Sequence, residues 1–216
     1  MWESEESVAF TELDITKYPR KAQFDYFRSL AYPYLGLTVE VDITDFLRLL
    51  QEREAPFFLS FSRAVTRAAN AVEAFRQRIR GDGIVTYNWC PGSVTLATPD
   101  GNYCYCTLPC RECFDDYLPH ALETQERALA AASIEDGEDA ESLLFLSSIP
   151  WLHYTALTQP VPHPADSNPR ITWGKYFTRE GRTRIPVSVL CNHALMDARQ
   201  LADFYEALER ELSCLE

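Results

Sequence analysis

Positive charge is scarce in this chain. Twenty lysines and arginines stand against 32 aspartates and glutamates, giving a formal net charge of −12. An acidic surface repels phosphate backbones and anionic lipid, which makes nucleic acid and membranes poor partners. An anionic ligand would need a local basic pocket. Long apolar runs are also missing, and none approaches the ~20 residues that span a bilayer. The segment Met1–Phe10 is acidic and lacks an apolar stretch, so no secretory signal is expected there. No internal repeat, low-complexity tract or Gly/Ser linker divides the sequence. What remains is 216 residues with 46% hydrophobic and 12% aromatic content. That composition excludes a disordered or fibrous chain and fits one domain over residues 1–216 with a large core. The seven cysteines, an odd count, are expected to be reduced thiols in a cytoplasm.

Helical patterns fall on four segments: Asp45–Arg53 behind the caps Asp42 and Thr44, Pro56–Ile79, Glu112–Ala132 and Ala198–Leu212. The second is long and mostly apolar and is predicted to be one buried helix. Strand patterns fall on Leu35–Val41, Gly83–Trp89, Ser93–Thr98, Asn102–Leu108, Ile171–Thr178 and Thr183–Cys191. Turns at Pro99-Asp100-Gly101 and Arg179-Glu180-Gly181-Arg182 predict two hairpins. The stretch Gln159–Pro169, with four prolines, is predicted to be a loop. Strands and helices mix without strict alternation, which predicts an α/β fold, a mixed sheet covered by helices.

Three places carry candidate chemistry. Val187–Asn192 is an apolar strand that ends at His193, with Asp197 four residues later at the start of a helix. A histidine displayed by a turn at a strand end suits a general base. A buried histidine bonded to local backbone, with Asp197 only capping the helix, suits the same pattern. Ser147-Ser148-Ile149-Pro150-Trp151 puts hydroxyls beside an apolar corner, where one could donate to an oxyanion; a polar loop with a core tryptophan is the alternative. Cys104, Cys106, Cys110 and Cys113 place four thiols within ten residues. Cys104 and Cys106 share one strand face and no second CxxC pair exists, so buried apolar thiols are expected rather than a metal site.

Taken together, the pieces resemble the chloramphenicol acetyltransferase family, whose signature is His-His-Ala-Val-x-Asp-Gly. Here it stands as Asn192-His193-Ala194-Leu195-Met196-Asp197-Ala198. The likeness also runs through Phe10–Asp14, Tyr18-Pro19-Arg20 to Phe27, Phe75–Ile79 with Asp82 and Trp89, Ser147–Trp151, Ile171–Tyr176 and Pro186–Val189. It implies a two-layer α/β subunit in a homotrimer with active sites at the subunit interfaces. It further implies acetyl transfer from acetyl-CoA, a co-substrate, to the hydroxyl of a small-molecule alcohol, without a metal or a covalent acyl-enzyme.

By position, the resemblance makes His193 the general base, Ser147 the oxyanion donor and Thr172 its helper through a water. Asp197 and Arg20 become a structural ion pair. Phe27, Tyr103, Leu157 and Gln159 fall in the acceptor pocket, and Trp151, Lys175 and Tyr176 on the CoA side. The departures are Asn192 for the first histidine, Ala198 for the glycine, Phe27 for a tyrosine, Tyr103 and Leu157 for phenylalanines, Gln159 for a leucine and Ala55 for a lysine. Two readings remain from the sequence: an active acetyltransferase acting on chloramphenicol or a similar alcohol, and a non-catalytic trimer of the same fold that binds a small ligand.

Overall fold

The computed structural model describes residues 9–135 and 140–215. In chain order, β1 (Phe10–Leu13) and α1 (Lys21–Phe27) precede β2 (Tyr34–Asp42), α2 (Thr44–Glu52) and α3 (Phe57–Asn70). Strands β3 (Gln77–Arg80), β4 (Gly83–Tyr87), β5 (Gly92–Ala97) and β6 (Tyr103–Leu108) follow, then α4 (Phe114–Ala131). Strands β7 (Leu144–Ile149), β8 (Arg170–Gly174), β9 (Phe177–Arg179) and β10 (Arg182–Asn192) lead to α5 (Ala198–Leu212).

The main sheet has the order β2-β10-β8-β7-β5-β6, with β9 paired to β10. It is mixed: β7 runs parallel to β5 and β8, and the other pairs are antiparallel. Helices cover it, so the expected α/β architecture holds. Strand alternation buries Cys104 and Cys106 on one face of β6 against α4, where Cys106 Sγ reaches Thr124 O at 3.8 Å. α3 is buried nearly all round, between sheet and α5. Gly92 permits this approach, since a Cβ there would sit 2.4 Å from Thr66 Oγ1. α5 presents Leu201, Phe204, Leu208 and Leu212 to the core at helical spacing and joins α3 through Arg67–Glu211 at 2.7 Å. Both predicted hairpins form, β5–β6 and β9–β10.

The structure corrects the long helix. Pro56–Ile79 is α3, a short 3-10 turn at Glu73–Arg76, and then β3. Asn70 ends the helix by clamping Cys90: its side chain donates to Cys90 O at 2.8 Å and accepts from Cys90 N at 2.7 Å. Arg78, fully buried, then donates to the carbonyls of Phe75, Gln77, Glu141 and Leu143 and ties the segment to the start of β7. β3 belongs to a second, three-stranded sheet, β1-β4-β3, that periodicity did not indicate. Ile171–Thr178 is likewise two strands, broken after Gly174. A Cβ at Gly174 would lie 2.8 Å from Leu152 O, so the chain crosses there too closely for a side chain. Ser147 and Ser148 sit on β7 rather than in a loop, and Trp151 is 72% exposed rather than core. The α2 cap is also different: the N-cap position is Ile43, while the Asp42 carboxylate accepts from Thr44 N at 2.9 Å.

Candidate active site

The turn after β10 is built by Asn192. Its carbonyl accepts from Leu195 N and Met196 N at 3.1 and 3.2 Å. Its side chain, 2% exposed, accepts from Ala194 N at 3.1 Å and donates to Asp166 O at 2.9 Å. Asp166 is clamped in turn by Arg170 through two bonds of 2.9 and 2.8 Å and by the Tyr34 hydroxyl at 2.9 Å. Burial beside that carboxylate pushes the Tyr34 phenol up to about 12. The turn carrying His193 is thereby tied to the proline-rich loop.

His193 N donates to Pro33 O at 2.7 Å, and the Nδ1 edge lies 2.7 Å from Met196 O. A carbonyl oxygen only accepts, so Nδ1 carries the proton of the neutral ring. Nε2 keeps its lone pair, as a base requires. Phe27, at the end of α1, stacks on the imidazole with ring centroids 3.8 Å apart.

Behind the turn, Arg20 Nη1 donates to Leu195 O at 2.8 Å and Gln200 Oε1 at 3.2 Å. Its Nη2 lies 3.4 Å from Asp197 Oδ2, an ion-pair contact without hydrogen-bond geometry. Asp197 caps α5 by accepting from Arg199 N at 2.9 Å, while Gln200 Oε1 accepts from Asp197 N at 2.9 Å. Ala198, where the signature has glycine, is the first residue of α5 and has ordinary helical backbone, so no glycine is needed there.

A row of hydroxyls crosses the sheet elsewhere. Ser147, Thr172, Ser188 and Thr38 are successive cross-strand neighbours on β7, β8, β10 and β2. Thr38 and Ser188 bond at 2.7 Å, and Thr172 donates to Gln159 Oε1 at 3.3 Å. A cavity of about 470 Å³ opens against this row, lined by Ser147, Gln159, Tyr103, Phe145 and Arg170 among others. Ser148, one residue on, lines a different and smaller cavity with Phe58 and Leu129. Leu157 is half-buried in the irregular segment nearby and is not among the residues that line the cavity at Ser147.

Lys175 and Tyr176 are exposed just beyond β8, and Lys175 N donates to Leu152 O at 2.8 Å, which brings the Trp151 corner alongside. The Tyr176 ring lies 5.6 Å from that of Phe57. A larger open groove of about 750 Å³ beside α4, lined by Glu112, Asp115, Asp116 and His120, contains none of these residues.

The structure thus gathers His193, Phe27, Arg20 and Asp197 in one place and Ser147, Thr172, Tyr103 and Gln159 in another. His193 lies just past the end of β10, five residues on from Ser188, the partner of Thr172. At roughly 3.3 Å per residue this is about 16 Å. A general base and an oxyanion donor acting on one carbon must be much closer, so one chain does not bring them together. Sequence reasoning missed Gln200, although Asp197-x-x-Gln200 is a capping-box spacing. It also missed the Tyr34–Asp166–Arg170 clamp, whose members carry no local signal.

Comparison with known proteins matches residues 8–209 to the family model described as chloramphenicol acetyltransferase. Among curated proteins, the chain is 23% identical over 203 residues to chloramphenicol acetyltransferase 3 of Escherichia coli, covering 93% of this chain and 95% of that one. It is 26% identical over 207 residues to the chloramphenicol acetyltransferase of Streptomyces acrimycini, covering 93% of each. A solved structure titled chloramphenicol acetyltransferase superposes with a TM-score of 0.82 at 26% identity, over 94% of this chain and 100% of that one. The cubic core of a pyruvate dehydrogenase multienzyme complex shares the fold, with a TM-score of 0.66 at 19% identity over 89% of this chain and 86% of that one.

Proposed function

The chain belongs to the chloramphenicol acetyltransferase family, and from that premise we propose that it transfers an acetyl group from acetyl-CoA to a hydroxyl of chloramphenicol or a similar small alcohol, at sites shared between the subunits of a homotrimer. The observation that carries this reading is the separation of His193 from Ser147 and Thr172 within one chain. A second copy that brings its His193 turn against the cavity at Ser147 completes the site.

In that site His193 Nε2 takes the proton of the acceptor hydroxyl as its oxygen attacks the thioester carbonyl. The bond from Nδ1 to Met196 O and the Phe27 stack hold the ring in the basic tautomer and orientation. Ser147 donates to the oxygen that becomes negative in the tetrahedral intermediate. Thr172, whose proton goes to Gln159, has lone pairs left to accept from a water that supports the same oxygen. The intermediate collapses by breaking the C–S bond, and the imidazolium returns its proton to the departing CoA sulfur. The acetyl group passes directly between the two substrates, and their shared binding supplies much of the rate. Arg20 and Asp197 hold the turn and touch no reacting atom. Trp151, Lys175 and Tyr176 give an exposed aromatic and basic edge for CoA, although Ala55 adds no charge there.

The test is incubation with acetyl-CoA and chloramphenicol, followed by thiol release and by the mass of the product. Acetylated drug with stoichiometric free CoA is expected. Neither product from folded protein, with chloramphenicol or with other small alcohols, overturns the reading.

A further inference from the structure

The cavity at Ser147 carries polar side chains beyond its catalytic side, among apolar ones such as Phe145 and Leu146. Its wall carries Ser93, Thr95, Tyr103 and Tyr105 together with the amide of Gln159. The two ends of that amide stand in different situations. Oε1 accepts from the Thr172 hydroxyl at 3.3 Å, and Thr172 is 2% exposed on the sheet. With the oxygen taken by Thr172, Nε2 is the end of the amide left for another partner. Nε2 has two N–H donors, and no protein acceptor takes either of them among the described residues. Gln159 lines the cavity and is half-buried, so these donors meet whatever fills it.

We propose that Gln159 is a specificity-determining residue that donates from Nε2 to an oxygen of the acceptor near its reacting hydroxyl. The substrate class this selects is a small alcohol bearing a carbonyl, ether or second hydroxyl oxygen, in preference to one that is otherwise hydrocarbon. A site equipped with a donor rejects an analogue lacking the acceptor, because the donor is then left dry and unpaired. The inference rests on the acetyl-transfer reading, which places an alcohol in this cavity.

The test compares kcat/KM for two aryl alcohols, 3-phenoxypropane-1,2-diol and 3-phenylpropan-1-ol, with acetyl-CoA as donor. Gln159→Leu removes both ends of the amide. Gln159→Glu keeps an oxygen for Thr172 and removes the donor. The wild-type preference for the diol ether is expected to fall roughly two- to twelve-fold in Gln159→Leu, the worth of one neutral hydrogen bond. In Gln159→Glu it falls at least as far. A preference unmoved in both variants overturns the proposal, and so does one lost in Gln159→Leu but kept in Gln159→Glu, which would mean that Gln159 acts only by holding Thr172. If the wild type acetylates neither probe and not chloramphenicol either, the reading beneath fails, and that failure shows in the unmutated protein.

Discussion

The ring of Phe27 lies nearly face to face with the imidazole of His193, with centroids 3.8 Å apart and planes 27° from parallel. The contact is made within one chain. A residue that resemblance places in the acceptor pocket thus also forms a wall that limits rotation of the imidazole. Such ring pairs contribute about 0.5–1.5 kcal/mol beyond their buried area. Phe27→Ala should therefore lower kcat by roughly two- to twelve-fold, while Phe27→Tyr, which keeps the stack, stays close to wild type in kcat. Steady-state kinetics check both. A Phe27→Ala enzyme with unchanged kcat would mean that Met196 O alone orients the ring.

Strand alternation separates Ser147 from Ser148. Ser147 faces the cavity shared with Gln159 and Tyr103, and Ser148 faces a smaller one beside Phe58. Ser147→Ala is expected to cost roughly 10²–10³-fold in kcat with KM little changed, as for loss of one oxyanion donor. Ser148→Ala should be mild. The reverse order in the same assay would exclude Ser147 as the donor.

Arg20 holds the His193 turn through Leu195 O and Gln200 as well as through Asp197. Asp197 itself is partly exposed, and an asparagine there still caps α5. Arg20→Ala should therefore lower Tm more than Asp197→Asn does, since it leaves the Leu195 carbonyl without its donor, a loss of about 1–3 kcal/mol. Calorimetry of the two variants decides this; an equal or larger drop for Asp197→Asn would make the charge pair the main restraint.

Burial pushes the Cys106 thiol up to about 11 and those of Cys110 and Cys191 up to about 12, from an ordinary value near 9. A folded-state pKa above the unfolded one favours folding fully below the unfolded value, and the contribution is lost as pH rises through the folded value. Tm should accordingly be insensitive to these thiols below about pH 9 and fall between pH 9 and 12. Cys110→Ala should flatten part of that fall. A variant with the same alkaline slope would show that Cys110 does not ionise on unfolding there.

Much of this was legible in the residues. α5 and its Asp197 cap follow from apolar spacing and a cap residue, and the hairpins from Pro99-Asp100-Gly101 and Arg179–Arg182. The helix over Pro56–Ile79 was not legible, because an apolar run looks alike whether it becomes a buried helix or a buried strand. What divides it is the long-range clamp of Asn70 on Cys90 and of Arg78 on Glu141 and Leu143, which no local window contains. The site divides the same way. His193 announced itself at a strand end, whereas Asn192 received its role only when the fold placed Asp166 beside it. The separation of His193 from Ser147 needed the strand register.

The account turns on a site made by two copies of the chain, and complementation measures that directly. His193→Ala and Ser147→Ala subunits each lack one half, and each alone should be reduced by roughly 10³-fold and 10²–10³-fold respectively. Co-expressed in equal amounts with different tags and purified as mixed trimers, they should regain activity at interfaces that pair the intact His193 of one subunit with the intact Ser147 of its neighbour. Every mixed trimer, whether 2:1 or 1:2, holds one such interface among its three, so kcat per site should recover to about a third of wild type. Mixed trimers no more active than the better parent would contradict the shared site and place the chemistry within a single chain.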